Sequence, residues 1–478
     1  MRALIRVAAI ALAGAALYYA GLVNSIVIRI PDRFGAIVVV LAVGVSLGML
    51  VFALTGTGTG DAGRGTTRSR DVRLHRAVWL VVSIMSLVGL AWLAIAPRQH
   101  SADWTPYHND AIALNDCAAR LLLAGRDPYT DLGLFACFGD LGIGADRTTP
   151  LQRGLFARVP VYPSDDELDA AWGARVADPA SNVEFEERLS YPALAVVLIA
   201  PWVALGWDSN VLYLLCLLAA MALIVRRAPA GLRPFVLTGL FAAACLEAFT
   251  VGGSADLLYA LPLVAAWTWR ERGWSGLLVG IAVAIKQIAW FFAPFYVIAV
   301  LARQGPRVAA RRAAEATAVF VLANLPFALH DGGAWLAGVL TPIAAPTFPR
   351  GAGFIFLATN DVLPLWPAVV YTGLEAVAGV AVLVVAWRTR RSSPELGVVL
   401  AVLPLFLARR SLFSYFFLAP LFAYAALVRL PLGDLAPAVA RASGAVTLFA
   451  LPRIPPIGSI GRIGSIRPKG TLAGRGRR

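Results

Sequence analysis

Apolar runs of roughly 17–25 residues recur along this chain of 478 residues, and they constrain its fold more than any other feature. That length of helix crosses a ~30 Å hydrocarbon core. A chain built this way satisfies its backbone inside helices and places them side by side in a bilayer. Charge agrees: 15% of the residues are Asp, Glu, Lys or Arg, against about 25% in soluble domains. The expected fold class is all-α, a polytopic helical membrane protein. Lys286 and Lys469 are the only lysines, so arginine carries the formal net charge of +14. These arginines sit between apolar runs, where the positive-inside rule puts them. They form no basic face with base-stacking groups, so nucleic acid is not an expected partner.

Spans are expected near 5–28, 34–54 and 77–96. The first looks superficially like a signal peptide, but it lacks a clear small-residue cleavage site and reads as an uncleaved span. Residues 1–54 thus form two N-terminal transmembrane helices. Residues 55–76, with Arg64, Arg68, Arg70, Arg73 and Arg76, form a basic cytoplasmic linker. The next span then exits on the far side, and residues 97–190 form a long acidic outer loop. Its part up to Tyr129 reads as ordered, and Thr148–Asn182 as a more mobile flap.

Two regions resist a simple count. Tyr191–Arg227 reads as a short helix, a break and a full span. Gly273–Arg303 holds Lys286-Gln287 near its middle. As simple crossings, both put Arg226, Arg227, Arg233, Arg270 and Arg272 outside; as broken pieces, both keep them inside. Further spans are expected near 313–329, 364–387, 396–408 and 411–430, with a loop from His330 to about Leu363 outside. Residues 431–478 are a basic tail that reads as disordered and lies near anionic lipid heads.

Most of the chemistry-bearing candidates cluster at membrane exits. His108, Asn109, Asp110, Asn115 and Asp116 crowd the end of a span. Ala111–Ala124 is a helix sequence and Gly125 sits where a left-handed C-terminal residue belongs. A carboxylate at such a helix start caps it; it is also where a transferase keeps a base that takes the proton from an attacking hydroxyl. Asp110 is the first candidate base and Asp116 the second, with His108 and Asn109 as substrate contacts. Lys286 inside an apolar run needs a cavity or a partner. That partner is either a lipid carrier's phosphate or a buried acid such as Glu247 or Asp256, and Gln287 is a second donor. Arg409 and Arg410 fall outside, against the positive-inside rule, and a guanidinium fork matches phosphate. Tyr415 is a candidate to stack on a sugar. Cys117 and Cys137, twenty positions apart in the outer loop, are expected to form a disulfide behind the Asp110 helix, unless one is simply buried in the helix face. No CxxC pair, P-loop, nucleophile elbow or zinc-protease motif occurs in a fitting context.

The segment Asp110–Tyr129, with its Ala-Ala-x-Leu-Leu core and Gly-Arg-Asp-Pro-Tyr ending, resembles the first outer loop of the GT-C glycosyltransferases. It is most similar to glycosyltransferase family 87, the polyprenyl-phosphate-sugar-dependent mannosyltransferase group. Tyr191-Pro192-Ala193-Leu194 with Pro201, Gly276–Pro294 with Lys286-Gln287, and Asn324–Phe327 with Trp335, Leu340 and Pro342 resemble further pieces of that family. The resemblance covers roughly 77–430, which reads as a GT-C-type catalytic module. It implies Asp110 as catalytic base, a polyprenyl-phosphate-linked sugar donor and inversion at the anomeric carbon. It prescribes no metal; no cofactor is expected, with a divalent cation left open. The expected activity is transfer of a hexose or pentose, mannose favoured, to a glycolipid or glycan acceptor of the cell envelope, at the outer face of the plasma membrane and among its lipids. This chain departs from the family pattern at Asp110-Ala111 and Pro192-Ala193, and in its two extra spans. The rival expectations are a secondary transporter coupled through Glu247, Asp256 and Lys286, and a lipid-binding assembly protein without catalysis.

Overall fold

The structure is a computed structural model and describes residues 2–28, 31–55, 77–91, 107, 110–248 and 254–430. It is a helical membrane protein. Among the described residues, five helices are long and apolar enough to cross a bilayer: Ala3–Val27, Arg33–Leu54, Ser209–Arg227, Pro306–His330 and Ala368–Thr389. Shorter apolar helices fill the bundle, among them Ala77–Ala91, Leu194–Ala204, Leu257–Thr268, Ser275–Ile285, Ile288–Gln304 and Gly332–Ala344. The linker 56–76 and the tail 431–478 lie outside the described residues.

Side-chain direction follows the environment each helix needs. On Ala368–Thr389 only Tyr371, Val382 and Ala386 are buried, and Val369, Val377 and Val380 point outward. Such a face suits hydrocarbon, because lipid tails are as apolar as the side chains. Close helix contact is made by small residues instead. Gly276 and Gly280, one turn apart on Ser275–Ile285, lie against Pro306–His330. A Cβ at either would come within 2.8 Å of the Arg312 or Ala316 carbonyl oxygen. Any larger residue would push the two helices apart.

The broken reading of 273–303 is the one the structure adopts. Ser275–Ile285 and Ile288–Gln304 form a hairpin, with Lys286-Gln287 at its turn. Both feet rest together: Tyr296 OH donates to Ser275 Oγ at 2.6 Å, and Gln304 Nε2 to the Arg270 carbonyl at 3.1 Å. Arg227 and Arg429 both donate to the Thr268 carbonyl. Arg226, Arg227, Arg270 and Arg272 therefore gather at the same end of the bundle as Arg303–Arg312. A buried pair locks this end: Arg270 contacts Glu395 at 2.6 Å, and Trp267 Nε1 donates to the same carboxylate at 2.6 Å. Tyr191–Arg227 likewise resolves into Leu194–Ala204, a turn, and Ser209–Arg227.

Two expectations need correction. Residues 396–408 and 411–430 are not continuous helices. The first is a run of short turns, Pro394–Leu396, Gly397–Leu400 and Pro404–Phe406. The second reduces to Phe413–Tyr415 and Ala419–Leu427. Pro404 supplies no backbone N–H to continue a helix. Arg410–Ser411 pairs instead with Arg350–Gly351 as a two-residue parallel ladder. Irregular backbone at this depth is tolerated because protein encloses it: every residue of Ala419–Leu427 and of Gly397–Leu400 is buried.

The second correction concerns 148–182, which is packed. Phe135, Phe156, Leu168, Ala171, Phe185 and Phe348 form a small core, with Trp172 against it. Ser164 and Glu167 make a reciprocal capping box on the helix Asp165–Ala177. Arg175 grips the fully buried Glu184 through two bonds of 2.6 and 2.9 Å. Burial raises the Glu184 carboxyl, but the Arg175 guanidinium and the Leu155 and Val183 N–H groups outweigh it and hold it below the usual range. Its stabilisation is therefore complete above the ordinary carboxylate pKa and fades as pH falls through the depressed folded value. Glu184→Ala strands the guanidinium and weakens the packing of the loop. Limited proteolysis of the purified protein across acid pH reads this: the parent loop opens only in acid, and the variant already at neutral pH.

Candidate active site

A cavity of about 380 Å³ opens at the end of the bundle away from the arginine-rich turns. It lies between the Asp110 helix, the Lys286-Gln287 turn, the segment 341–351 and the segment 410–415. A second cavity of about 250 Å³ adjoins it, and Asp110, Thr149, Thr347, Arg350, Arg410 and Leu412 line both.

Asp110 is the first residue of the helix Asp110–Leu123, where a carboxylate complements the dipole. Gly125, at φ +74°, ends that helix, and Arg126 N–H closes onto the Leu121 carbonyl at 3.0 Å. Cys117 and Cys137 are joined by a disulfide, which fixes the helix from behind. Thr149 Oγ1 donates a short hydrogen bond to Asp110 Oδ2. That bond orients the carboxylate toward the junction of the two cavities and leaves acceptor capacity on it.

Asp116 sits elsewhere. It is 7% exposed, accepts from Ser209 Oγ at 2.6 Å and from Tyr107 OH at 3.2 Å, and ties the Asp110 helix to the head of Ser209–Arg227. Burial raises its carboxyl pKa, partly offset by the Ser209 and Tyr107 hydrogen bonds. It does not line the cavity. His108 and Asn109 lie outside the described residues, as do the Glu247 side chain and Val251-Gly252-Gly253.

Lys286 lines the cavity floor, with Nζ 2.5 Å from Asp256 Oδ1 and 4.8 Å from the centroid of the Tyr191 ring. The break between two helices exposes it, and the acid neutralises it. Gln287 also lines the cavity, but its Nε2 donates to the Ser190 and Val339 carbonyls, at 2.8 Å each. Its N–H groups are committed to the fold. Tyr415 lines the same cavity.

The two neighbouring arginines separate. Arg409 donates to the Thr347 carbonyl at 2.7 Å and to Gln152 Oε1 at 2.8 Å, so it staples the loop around Gln152 to the segment 341–351. Arg410 faces the cavities. Beside it, in ladder register, stands Arg350, which the sequence reading passed over. Its guanidinium lies 3.9 Å from the centroid of the Tyr162 ring. Among the described residues, neither Arg350 nor Arg410 has a carboxylate within ion-pair distance. Gly351, at φ +147°, permits the close crossing of the two segments, since a Cβ there would overlap the Ser411 carbonyl. Arg350 did carry a signal: with Arg409 and Arg410 it is a third arginine in the late, short loops at the end away from the arginine-rich turns. Thr149 and Glu186 carried none, being ordinary loop residues until the fold brings them in.

The fold defines a polytopic membrane protein with a polar cavity at one end of its helices. Residues 189–414 match the sequence model of glycosyltransferase family 87. No curated protein and no solved structure matches the chain. The matched stretch contains Lys286, Arg350 and Arg410; Asp110 precedes it, as does the whole outer loop up to Arg188.

Proposed function

We propose that this protein is a glycosyltransferase that moves a sugar, mannose favoured, from a polyprenyl-phosphate donor to a lipid-linked or envelope glycan acceptor at the outer face of the cell membrane. One observation carries the reading: an oriented carboxylate, Asp110, and two arginines without acidic partners, Arg350 and Arg410, line the same pair of cavities. A hydroxyl nucleophile needs a base, and a phosphate leaving group needs positive charge. Asp110 takes the proton of the acceptor hydroxyl as its oxygen bonds to the anomeric carbon. The bond to the phosphate breaks on the opposite face, its electrons leave with the phosphate oxygen, and the configuration inverts. Arg350 and Arg410 hold that phosphate in fork geometry. Lys286, balanced by Asp256, adds a polar floor without a net charge, and Ile28, Leu412 and Phe413 give an apolar wall for the first part of the prenyl chain.

A groove of about 430 Å³ adjoins the larger cavity and shares Glu186 and Thr341 with it. Glu186, Glu187, Arg153, Arg188 and Asn182 line it, a set without net charge that offers both donors and acceptors to sugar hydroxyls. The groove is accordingly assigned to the acceptor. The outer orientation rests on the arginine-rich turns, all at the opposite end of the bundle.

The test is incubation of membranes carrying the protein with labelled polyprenyl-phosphate mannose, glucose or arabinose, followed by product analysis. Transfer from one of them with inverted configuration is expected, and no transfer from any rejects the reading. Orientation is read separately by an impermeant thiol reagent on intact cells. A cysteine at position 165 is expected to react and one at 68 is not; the opposite pattern moves the site to the cytoplasm.

A further inference from the structure

A separate cavity of about 460 Å³ lies at the arginine-rich end of the bundle, lined by Leu223, Arg226, Arg227, Trp269, Arg272 and Trp274. Arg226 and Arg227 end the helix Ser209–Arg227. Trp269, Arg272 and Trp274 come from the turn that joins Leu257–Thr268 to Ser275–Ile285. The two indoles meet edge to face, with ring centroids 5.4 Å apart. Arg227 Nη2 donates to the Thr268 carbonyl at 3.2 Å, which fixes this side chain at the rim and leaves further N–H donors on it.

The acids of this end are committed elsewhere. Glu395 takes Arg270 and Arg429, and Glu315 takes Arg311 and Arg312. Glu271 stands next to Arg272 in the chain but pairs with Arg429. Among the described residues, no carboxylate lines the cavity or lies within ion-pair distance of Arg226, Arg227 or Arg272. The positive-inside rule accounts for arginines at this end. It does not account for three guanidiniums gathered with two indoles around one cavity.

Three guanidiniums ask for an anion, and their planar fork matches phosphate. The helix shows what else that anion carries. Val211, Leu215, Leu218, Ala222 and Arg226 recur at helical spacing on one face of Ser209–Arg227, and all five are exposed. An apolar track along the helix thus ends on an arginine of the cavity. A free phosphate or a nucleotide would leave that track unused, whereas an acyl chain lies along it. A zwitterionic head would bring an ammonium group with no acid to receive it. Basic pockets between membrane helices hold anionic lipid heads in this way.

We infer that this cavity binds the phosphate head of an anionic phospholipid from the adjoining leaflet, with an acyl chain along the exposed face of 211–222. The indoles stand at head-group depth, where such rings settle. The bound lipid bridges the end of Ser209–Arg227 to the turn that begins the Lys286 hairpin. The inference does not depend on the transferase reading.

The experiment uses the full-length protein, stripped of lipid in detergent. Binding and thermal unfolding are measured with phosphatidylglycerol, with phosphatidylcholine of the same acyl chains, and with glycerol 3-phosphate, the soluble head without chains. The parent holds phosphatidylglycerol roughly tenfold more tightly than phosphatidylcholine and unfolds at a higher temperature with it; glycerol 3-phosphate does neither. Arg226→Gln combined with Arg272→Gln weakens phosphatidylglycerol roughly 10–30-fold and abolishes its thermal shift. Unfolding without lipid stays near the parent, because both side chains are exposed. Arg303→Gln combined with Arg307→Gln removes the same charge at the same end but outside the cavity, and keeps the parent's preference. Equal binding of the two lipids by the parent overturns the inference. So does an equal loss in the Arg303 and Arg307 variant, which would mark diffuse surface charge. Binding of glycerol 3-phosphate as tight as that of phosphatidylglycerol gives the cavity to a soluble phosphate and overturns the lipid assignment.

Discussion

Asp110→Asn removes ~10²–10⁴-fold of transfer activity and leaves the fold intact. The size of the loss follows from the role, since an amide cannot take the proton of an attacking hydroxyl. Retention of the fold follows from geometry. Asn caps a helix about as well as Asp, and its carbonyl oxygen still accepts from Thr149 Oγ1. Loss of a cap therefore cannot imitate loss of a base. Asp116→Asn is the matched control. Asp116 lies off the cavity, between Ser209 and Tyr107, so the substitution lowers thermal stability more than turnover. Initial rates with saturating donor, beside unfolding curves for both variants, separate the two. Near-normal turnover in Asp110→Asn would reduce Asp110 to a cap, and the base would then be sought at Glu186, which lines the same cavity.

Much of this arrangement was legible in the chain because the membrane restricts what residues can do. An arginine at the arginine-poor end, a lysine in an apolar run and a carboxylate at a membrane exit each break a rule, and Arg410, Lys286 and Asp110 all line the cavity. The helix at Asp110 was readable from its composition and from Gly125. What was not legible depends on contacts between distant segments. Nothing local distinguishes Arg409 from Arg410; the two-residue ladder turns one toward the outer loop and the other toward the cavity. Nothing in 148–182 announces that Phe156, Trp172 and Phe185 meet Phe348, 163 residues beyond Phe185, and so the loop read as loose. The chain near 400–415 read as helix because its apolar length suits one, yet Pro404 and the pairing at Arg410 break it. Gln287 was read by its neighbour: it stands beside Lys286, but the Ser190 and Val339 carbonyls occupy its donors.

Arg350→Ala and Arg410→Ala each raise KM for a polyprenyl-phosphate sugar by roughly 10–100-fold, the loss expected when a charge-assisted hydrogen bond to phosphate is removed. The two lie side by side in register and face one substrate group, so their effects are not additive. The double variant loses less than the product of the two single losses, because removing one guanidinium already lets the phosphate shift. Sugar-free polyprenyl phosphate weakens in parallel. Lysine at either position restores part of the affinity, since it returns the charge without the planar fork. Arg409→Ala is the internal comparison. It loses its bonds to Gln152 and to the Thr347 carbonyl and lowers unfolding temperature while donor affinity stays near the parent value. Should Arg350→Ala and Arg410→Ala instead behave like Arg409→Ala, losing stability at constant donor KM, the pair is a structural clasp and the phosphate must be held elsewhere. The other cations lining the two cavities are Lys286, which Asp256 already occupies, and Arg147, which lies beside Asp146. Two guanidiniums without acidic partners beside an oriented carboxylate are costly to keep so close unless an anion comes between them, and that cost is why the donor phosphate is assigned to this place.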